Sequence, residues 1–426
     1  MKGTVDLYQE ANNLRKEKKF ADAAPLYEKA WSASADQYNG AGLLQCLRKT
    51  DCFEKAIPLA KELLKKYPEF AWARNEAIWT LISGELNRLD EDTTLETVID
   101  LARKIMELKP EDLAAKVCVF KVLKAAKAAG KWDVVGEWTY KLDPDRLSTT
   151  PMTDERGREG WNDQSLWYNY KCNFLIKKDK SEEVLRFIDQ VIEKHPGQRK
   201  FFLRIKAIAL HKTNRLDEAE GCYKNLCSVR KPDWWLLQEY ARVVKDKGNR
   251  GDALKLMCQA ANSNNKLDLM VALFQEMGLL FKENGDNDAA RSHLALASLI
   301  RRDQEWSIPG IILDSLSELN MTIGNDYAPT SIKNALSMCR KEWEKILGIS
   351  ALEQRTPNCL SGKVRLGNPE RAFCFIIDGS GESYYCLKSD LPRQTKDGDT
   401  VVFNAIPSFD KKKNRESWKA TNISAK

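Results

Sequence analysis

LDEAEGCYKNL, residues Leu216–Leu226, decides the fold. Leu216, Ala219, Tyr223 and Leu226 follow one another at steps of three and four, the spacing that lines up one face of an α-helix. The phrase recurs as FADAAPLYEKA (20–30), FEKAIPLAKEL (53–63), LETVIDLARKI (95–105), SEEVLRFIDQV (181–191), RGDALKLMCQA (250–260) and NDAARSHLALA (287–297). From Ala219 to Ala253 the period is 34 residues. A short helix with one apolar stripe buries it only against neighbours, so such a period predicts stacked helical pairs.

Punctuation agrees with this reading. Prolines close units at Pro68, Pro110 and Pro196, and glycines at Gly248 and Gly285 mark the turn inside a unit. Gly278, Phe281, Gly285, Ala290, Leu294 and Ala297 stand at the offsets of a tetratricopeptide (TPR) repeat, and residues 4–300 resemble that family in about eight degenerate units. The resemblance implies a right-handed α-solenoid whose concave groove binds protein segments. Its groove positions here are Asn169, Asn173, Arg204, Trp235, Gln238, Arg242 and Lys245. The family's clamp for C-terminal carboxylates needs Lys and Asn at set offsets in consecutive units, and this chain carries only Asn169 and Asn173 in one copy and Arg204 in the next. That clamp is not expected.

The expected division is 1–300 for the repeats, 301–352 for capping helices, 353–360 for a linker and 361–426 for a separate small domain. A Pro-, Gly- and charge-rich insert near 143–166 interrupts the repeats and reads as a connection between units. In KPDWWLLQEYA, Trp234 and Trp235 start a helix, and packing between units is the expected use of one ring.

Composition bounds the class. A chain of 426 residues exceeds a single core of roughly 250–300 residues. It has no apolar run long enough to span a bilayer, and MKGTVDLYQEANNLRKEKK lacks the apolar segment of a secretory signal. A soluble cytoplasmic protein without membrane association is expected. The 11 cysteines occur without a CxxC pair, so they read as reduced core residues, with neither disulfide nor zinc expected. Net charge is +7, too small for a protein that coats nucleic acid throughout. From Arg355 to Lys426, however, 13 Lys and Arg face 8 Asp and Glu, so most of the excess sits at the end.

There the periodicity changes from 3.6 to 2. GKVRL, RAFCFII, ESYYCLK, DTVVFNAI and SWKATNI read as five short strands, the number in an OB-fold barrel. The order of residues resembles a cold-shock domain: Gly362, Val364 and Asn368, then RAFCFI (371–376), then Tyr384, Tyr385 and Cys386, then Asp397, Gly398, Val401 and Phe403, then Ala420, Asn422 and Ile423. Alternation puts Phe373 and Phe375 on one face, with Ala372, Cys374 and Ile376 expected inside. With Tyr385 they form a platform for unstacked bases. Lys363, Arg365, Arg371 and Lys388 are placed to meet phosphates. Leu366 and Gly367 stand where the family carries a tryptophan and a phenylalanine, and Leu387 and Lys388 where its second motif carries a histidine and a final phenylalanine, so binding to free single strands is expected to be weaker than in the family. The loop PSFDKKKNRESW offers Phe409, Lys411, Lys412, Lys413, Arg415 and Trp418 as further contacts.

The sequence therefore predicts a multidomain α + β protein, a TPR-like solenoid followed by a five-stranded OB-fold or cold-shock-like barrel. Its expected role is a non-enzymatic adaptor holding a protein partner in the groove and single-stranded RNA, in preference to DNA, on the barrel. No triad, metal cluster or phosphate-binding glycine loop points to catalysis or to a cofactor. The alternative is a pure protein scaffold or a regulatory subunit of a larger complex, of a prokaryotic defence or RNA-processing kind, with the barrel as an assembly surface.

Overall fold

The computed structural model describes residues 4–425 except 91, 156, 158, 230, 265, 322–330, 349–359, 369–370, 393 and 411–414; for 4, 407, 409, 410, 415 and 416 it describes the backbone alone. The chain divides into two compact units, Met1–Ser228 and Val229–Lys426.

The first unit is a series of helical hairpins. α1 (Thr4–Lys16) pairs with α2 (Phe20–Ala33), α3 (Gln37–Lys49) with α4 (Phe53–Lys66), α5 (Ala71–Gly84) with α6 (Leu95–Glu107), and α7 (Asp112–Ala128) with α8 (Trp132–Thr139). α9 (Asp163–Lys177) packs on α10 (Ser181–Leu185), and α10 and α11 (Ile188–Lys194) pack on α12 (Arg199–Lys212), which pairs with α13 (Leu216–Leu226). Every repeat phrase of this unit falls on the second helix of a hairpin. Its fourth residue is Ala23, Ala56, Val98, Val184 or Ala219, each buried, because a larger side chain there would hold the paired helices apart.

One turn joins most of these hairpins. Two residues before the second helix the backbone enters the left-handed region at Lys18, Asp51, Gly130, Asp179 and Asn214, with φ between +56° and +67°. The next residue's N–H then reaches back to a carbonyl near the end of the first helix, as from Lys19 to Leu14 at 2.9 Å and from Arg215 to Leu210 at 2.9 Å. These bonds satisfy carbonyls that a helix end otherwise leaves open. α5 and α6 are instead joined by a longer connection through a 3₁₀ turn at Leu86–Arg88.

The insert at 143–166 closes on itself. Thr153 and Glu159 form an isolated antiparallel bridge, and Gly160 N–H donates to Met152 O at 2.7 Å. It ends at Asn162, whose Oδ1 accepts from Ser165 N–H at 2.7 Å while Ser165 Oγ accepts from Asn162 N–H at 3.1 Å, a reciprocal cap on α9.

The second unit begins with two more hairpins, α14 (Trp234–Asp246) with α15 (Arg250–Asn262) and α16 (Val271–Glu283) with α17 (Asn287–Asp303). Their turns carry Gly248 and Gly285 at φ +91° and +81°. Ala253 and Ala290 occupy the buried fourth position of the phrase. α18 (Gly310–Glu318) and α19 (Ile332–Leu347) follow without it, and α19 packs on α15 and α17 through the buried Trp343. Trp343 stacks on Phe274 with centroids 6.0 Å apart and planes 8° from parallel. The helical part is thus a TPR-like array of hairpins.

Strands β1 (Leu360–Arg365), β2 (Phe373–Asp378), β3 (Ser383–Leu387), β4 (Thr400–Asp410) and β5 (Arg415–Ala425) close into a barrel in the order β1-β2-β3-β5-β4, with β4 returning to β1. All pairs are antiparallel except β3 with β5. Val364, Cys374, Ile376, Tyr384, Cys386, Val401, Phe403 and Ala420 fill the interior. Ala372 is not among them. It precedes β2 and is exposed, its carbonyl accepting from Lys388 N–H at 2.9 Å, so the inward alternation begins at Cys374.

Candidate functional site

The outer face of β1, β2 and β3 is set by register. Arg365 lies opposite Phe375, Phe375 opposite Tyr385, and Tyr385 opposite Lys419 of β5, so four side chains cross the sheet in one row. Phe373 joins from the same face of β2. Its ring centroid lies 5.8 Å from that of Phe375 and 5.6 Å from that of Tyr385, and Phe375 and Tyr385 are 6.4 Å apart. Phe373 and Tyr385 are half-buried, while Phe375 is 39% exposed. These spacings are those of mutually packed aromatic rings, so the cluster is preformed.

Charge surrounds it. Arg371 stands over Phe373 with its guanidinium 5.8 Å from the ring centroid. Lys388 Nζ donates to Asn368 O at 2.8 Å, which tethers the lysine beside the entry to β2. Arg365 meets the Asp397 carboxylate at 3.5 Å, and that carboxylate also accepts from Leu366 N–H at 2.7 Å. Lys363 is exposed on β1 opposite Ile377. The β2–β3 turn is built on Asp378, whose carboxylate accepts from Ser380 Oγ (2.6 Å), Ser380 N–H (2.9 Å), Glu382 N–H (3.0 Å) and Tyr384 Oη (2.9 Å). The Ser380 hydroxyl, with the other donors, holds this carboxyl at a pKa of about 2.

The remaining expected contacts separate. Trp418 is half-buried against the barrel core, opposite Tyr384, and carries the Lys231 ammonium 4.7 Å from its ring. Phe409 and Arg415 pair with Glu416 and Asp410 along β4 and β5. Lys411, Lys412 and Lys413 lie outside the described residues. Lys419 and Asp378 were not foreseen, and Asp397, which enters the sequence reading only through the cold-shock resemblance, also pairs with Arg365. Lys419 becomes visible only when closure pairs β5 with β3, whereas DGSGE between two alternating runs was a signal for Asp378 as the turn's anchor.

On the helices, the expected groove residues are largely engaged within the protein. Arg242 of α14 makes a two-pronged contact with Glu276 of α16, Nε to Oε2 at 2.9 Å and Nη2 to Oε1 at 2.5 Å, and Gln238 Nε2 donates to the same carboxylate at 3.1 Å. Asn173 Nδ2 bonds Asn169 O and Oδ1 at 2.7 and 2.9 Å. Arg204, Trp235 and Lys245 are half-buried. The same joining of first helices recurs in Arg48 with Glu76 across α3 and α5, and in Lys116 with Asp163 (2.6 Å) across α7 and α9.

Among the described residues no group of three His, Cys, Asp or Glu could hold a metal ion, and no helix is long and apolar enough to cross a membrane.

Helical repeats ending in a closed five-stranded barrel define the class of this protein. Residues 200–322, from α12 to α18, match a family model described as a domain of unknown function (DUF7017). No curated protein matches the chain. Similar solved structures include a tetratricopeptide repeat protein from Parabacteroides merdae, at 9% identity and TM-score 0.30 over 63% of this chain and 96% of that one. The TPR2AB domain of yeast Sti1 in complex with pHSP90 aligns at 14% identity and TM-score 0.27, over 61% of this chain and 90% of that one. The APC/C hetero-tetramer Cut9–Hcn1 aligns at 12% identity and TM-score 0.30, over 83% of this chain and 84% of that one.

Proposed function

We propose that this protein is a non-enzymatic adaptor whose helical repeats hold a protein partner and whose barrel binds single-stranded nucleic acid in the manner of a cold-shock domain, with RNA preferred. The observation that carries this reading is the packed ring cluster of Phe373, Phe375 and Tyr385 on the outer face of the barrel, bordered by Arg365, Arg371, Lys388 and Lys419. Aromatic faces accept any base, while neighbouring cations neutralise the backbone. RNA is favoured because its loops and ends offer unpaired bases. Repeat arrays present extended helix faces to protein segments, which supports the partner assignment.

Fluorescence anisotropy of labelled single-stranded RNA and DNA tests the reading, with the wild type and with the double variant Phe373→Ala, Phe375→Ala. Tight, salt-sensitive binding by the wild type and a large loss in the variant is the expected result. Equal, salt-independent affinity at the detection limit for both proteins would refute it.

A further inference from the structure

Directly beneath the ring cluster lies a second, chemically different pair. Cys374 of β2 and Cys386 of β3 are cross-strand partners, both buried, and their sulfurs are 3.2 Å apart. Each flanks a platform residue: Cys374 sits between Phe373 and Phe375, and Cys386 follows Tyr385. Directly opposed residues in an antiparallel pair have Cα atoms about 4.5–5.5 Å apart, inside the roughly 4.4–6.8 Å that a disulfide spans. Both thiols are free, and packing alone needs no sulfur at either position.

We infer that Cys374 and Cys386 form a redox modification site, closed by a low-molecular-weight disulfide such as glutathione disulfide into a bond that staples β2 to β3. The step balances as two exchanges. One cysteine thiolate attacks glutathione disulfide, expels one glutathione thiolate and leaves a mixed disulfide. The second cysteine thiolate attacks the protein sulfur of that bond and expels the other glutathione. Two protons and two electrons leave the protein, and the oxidant becomes two glutathione thiols. Burial and the adjacent Cys374 push the Cys386 thiol up, so little thiolate exists in the closed barrel and exchange waits for β2 and β3 to part. Reduced protein is thereby slow to oxidise. Once formed, the bond holds in place the two strands that carry Phe373, Phe375 and Tyr385. The inference is independent of what those rings bind.

The test equilibrates the full chain for hours in glutathione buffers from fully reduced to fully oxidised, quenches with acid, alkylates free thiols and maps the peptides by mass spectrometry. The expected product is a linked pair of peptides containing Cys374 and Cys386, two mass units lighter than the reduced pair, appearing along one two-electron titration. Hydrogen exchange on the same samples should slow by about tenfold or more at amides of 373–387 once the bond forms. Two alkylated thiols at every poise, with the link forming only in urea, would overturn the inference. A link that leaves exchange at 373–387 unchanged would equally overturn the staple.

Discussion

Trp343 Nε1 donates a 2.8 Å hydrogen bond to His293 Nε2, while His293 Nδ1 lies 2.7 Å from Ala289 O. An indole only donates and a carbonyl only accepts, so the ring must be neutral, with its proton on Nδ1. The contact fastens α19 to α17 inside a fully buried site beside Phe281 and Phe274.

A pH dependence follows. Burial lowers the pKa of His293 to about 4 against 6.5 for the free group. Between those values the unfolded chain binds a proton that the folded one refuses, so this contribution is complete above 6.5 and falls away as pH drops through about 4. The difference corresponds to about 3 kcal/mol. Urea unfolding of wild type and His293→Gln between pH 7 and pH 4 should show that loss in the wild type and a flatter profile in the variant. Parallel profiles would mean that His293 titrates normally.

Two glycines separate two causes of repeat stability. At Gly248 φ is +91° and no atom lies within 4 Å of where a Cβ would stand, so Gly248→Ala should cost about 1–2 kcal/mol through backbone strain alone. At Gly278 the added Cβ would meet Leu294 Cγ at 2.7 Å, and overpacking of about 1–3 kcal/mol is expected. Combining Gly278→Ala with Leu294→Ala should therefore cost less than the sum of the two. The pair Gly248→Ala with Leu294→Ala should be additive. Denaturant melts of the five variants check both.

The same turns show what was legible. Stripe and period announce the second helices, because burial against neighbours allows only small or β-branched residues at Ala56, Val98 or Ala219. Gly248 and Gly285 announce their turns, but Lys18, Asp51, Asp179 and Asn214 adopt the same left-handed backbone without a residue type that demands it. On the barrel, alternation locates Phe373 and Phe375 directly. Lys419 and Glu276 stay hidden, since one depends on strand register at closure and the other on the stacking of a helix 34 residues beyond Arg242.

That Arg242–Glu276 contact predicts a modest coupling. The side chains are 41% and 30% exposed, so solvent weakens the pair, and a double-mutant cycle of Arg242→Met with Glu276→Gln should give about 0.5–1 kcal/mol. If a protein partner engages Arg242 instead, binding should raise hydrogen exchange at neither helix yet lose affinity in Arg242→Met with Glu276→Gln neutral. Calorimetry on the purified complex separates these from a purely structural pair, which leaves affinity unchanged in both variants.

On the barrel, rings and cations should leave different signatures. Phe375→Ala removes an exposed ring and should weaken binding of single-stranded RNA by about 1–3 kcal/mol at every salt concentration, with the slope of log K against log salt unchanged. Lys419→Gln, in the same row beyond Tyr385, should weaken binding most at low salt and reduce that slope by about 0.7, the release of one counterion from a single strand. Asp378→Asn acts on neither directly. It exchanges a carboxylate that accepts from Ser380, Glu382 and Tyr384 for a weaker acceptor, so the β2–β3 turn should exchange its amides faster with the salt slope unchanged, whereas Phe375→Ala should leave that turn's exchange as it is. Anisotropy titrations at four salt concentrations, with hydrogen exchange at 373–387, distinguish a lost ring, a lost cation and a loosened turn.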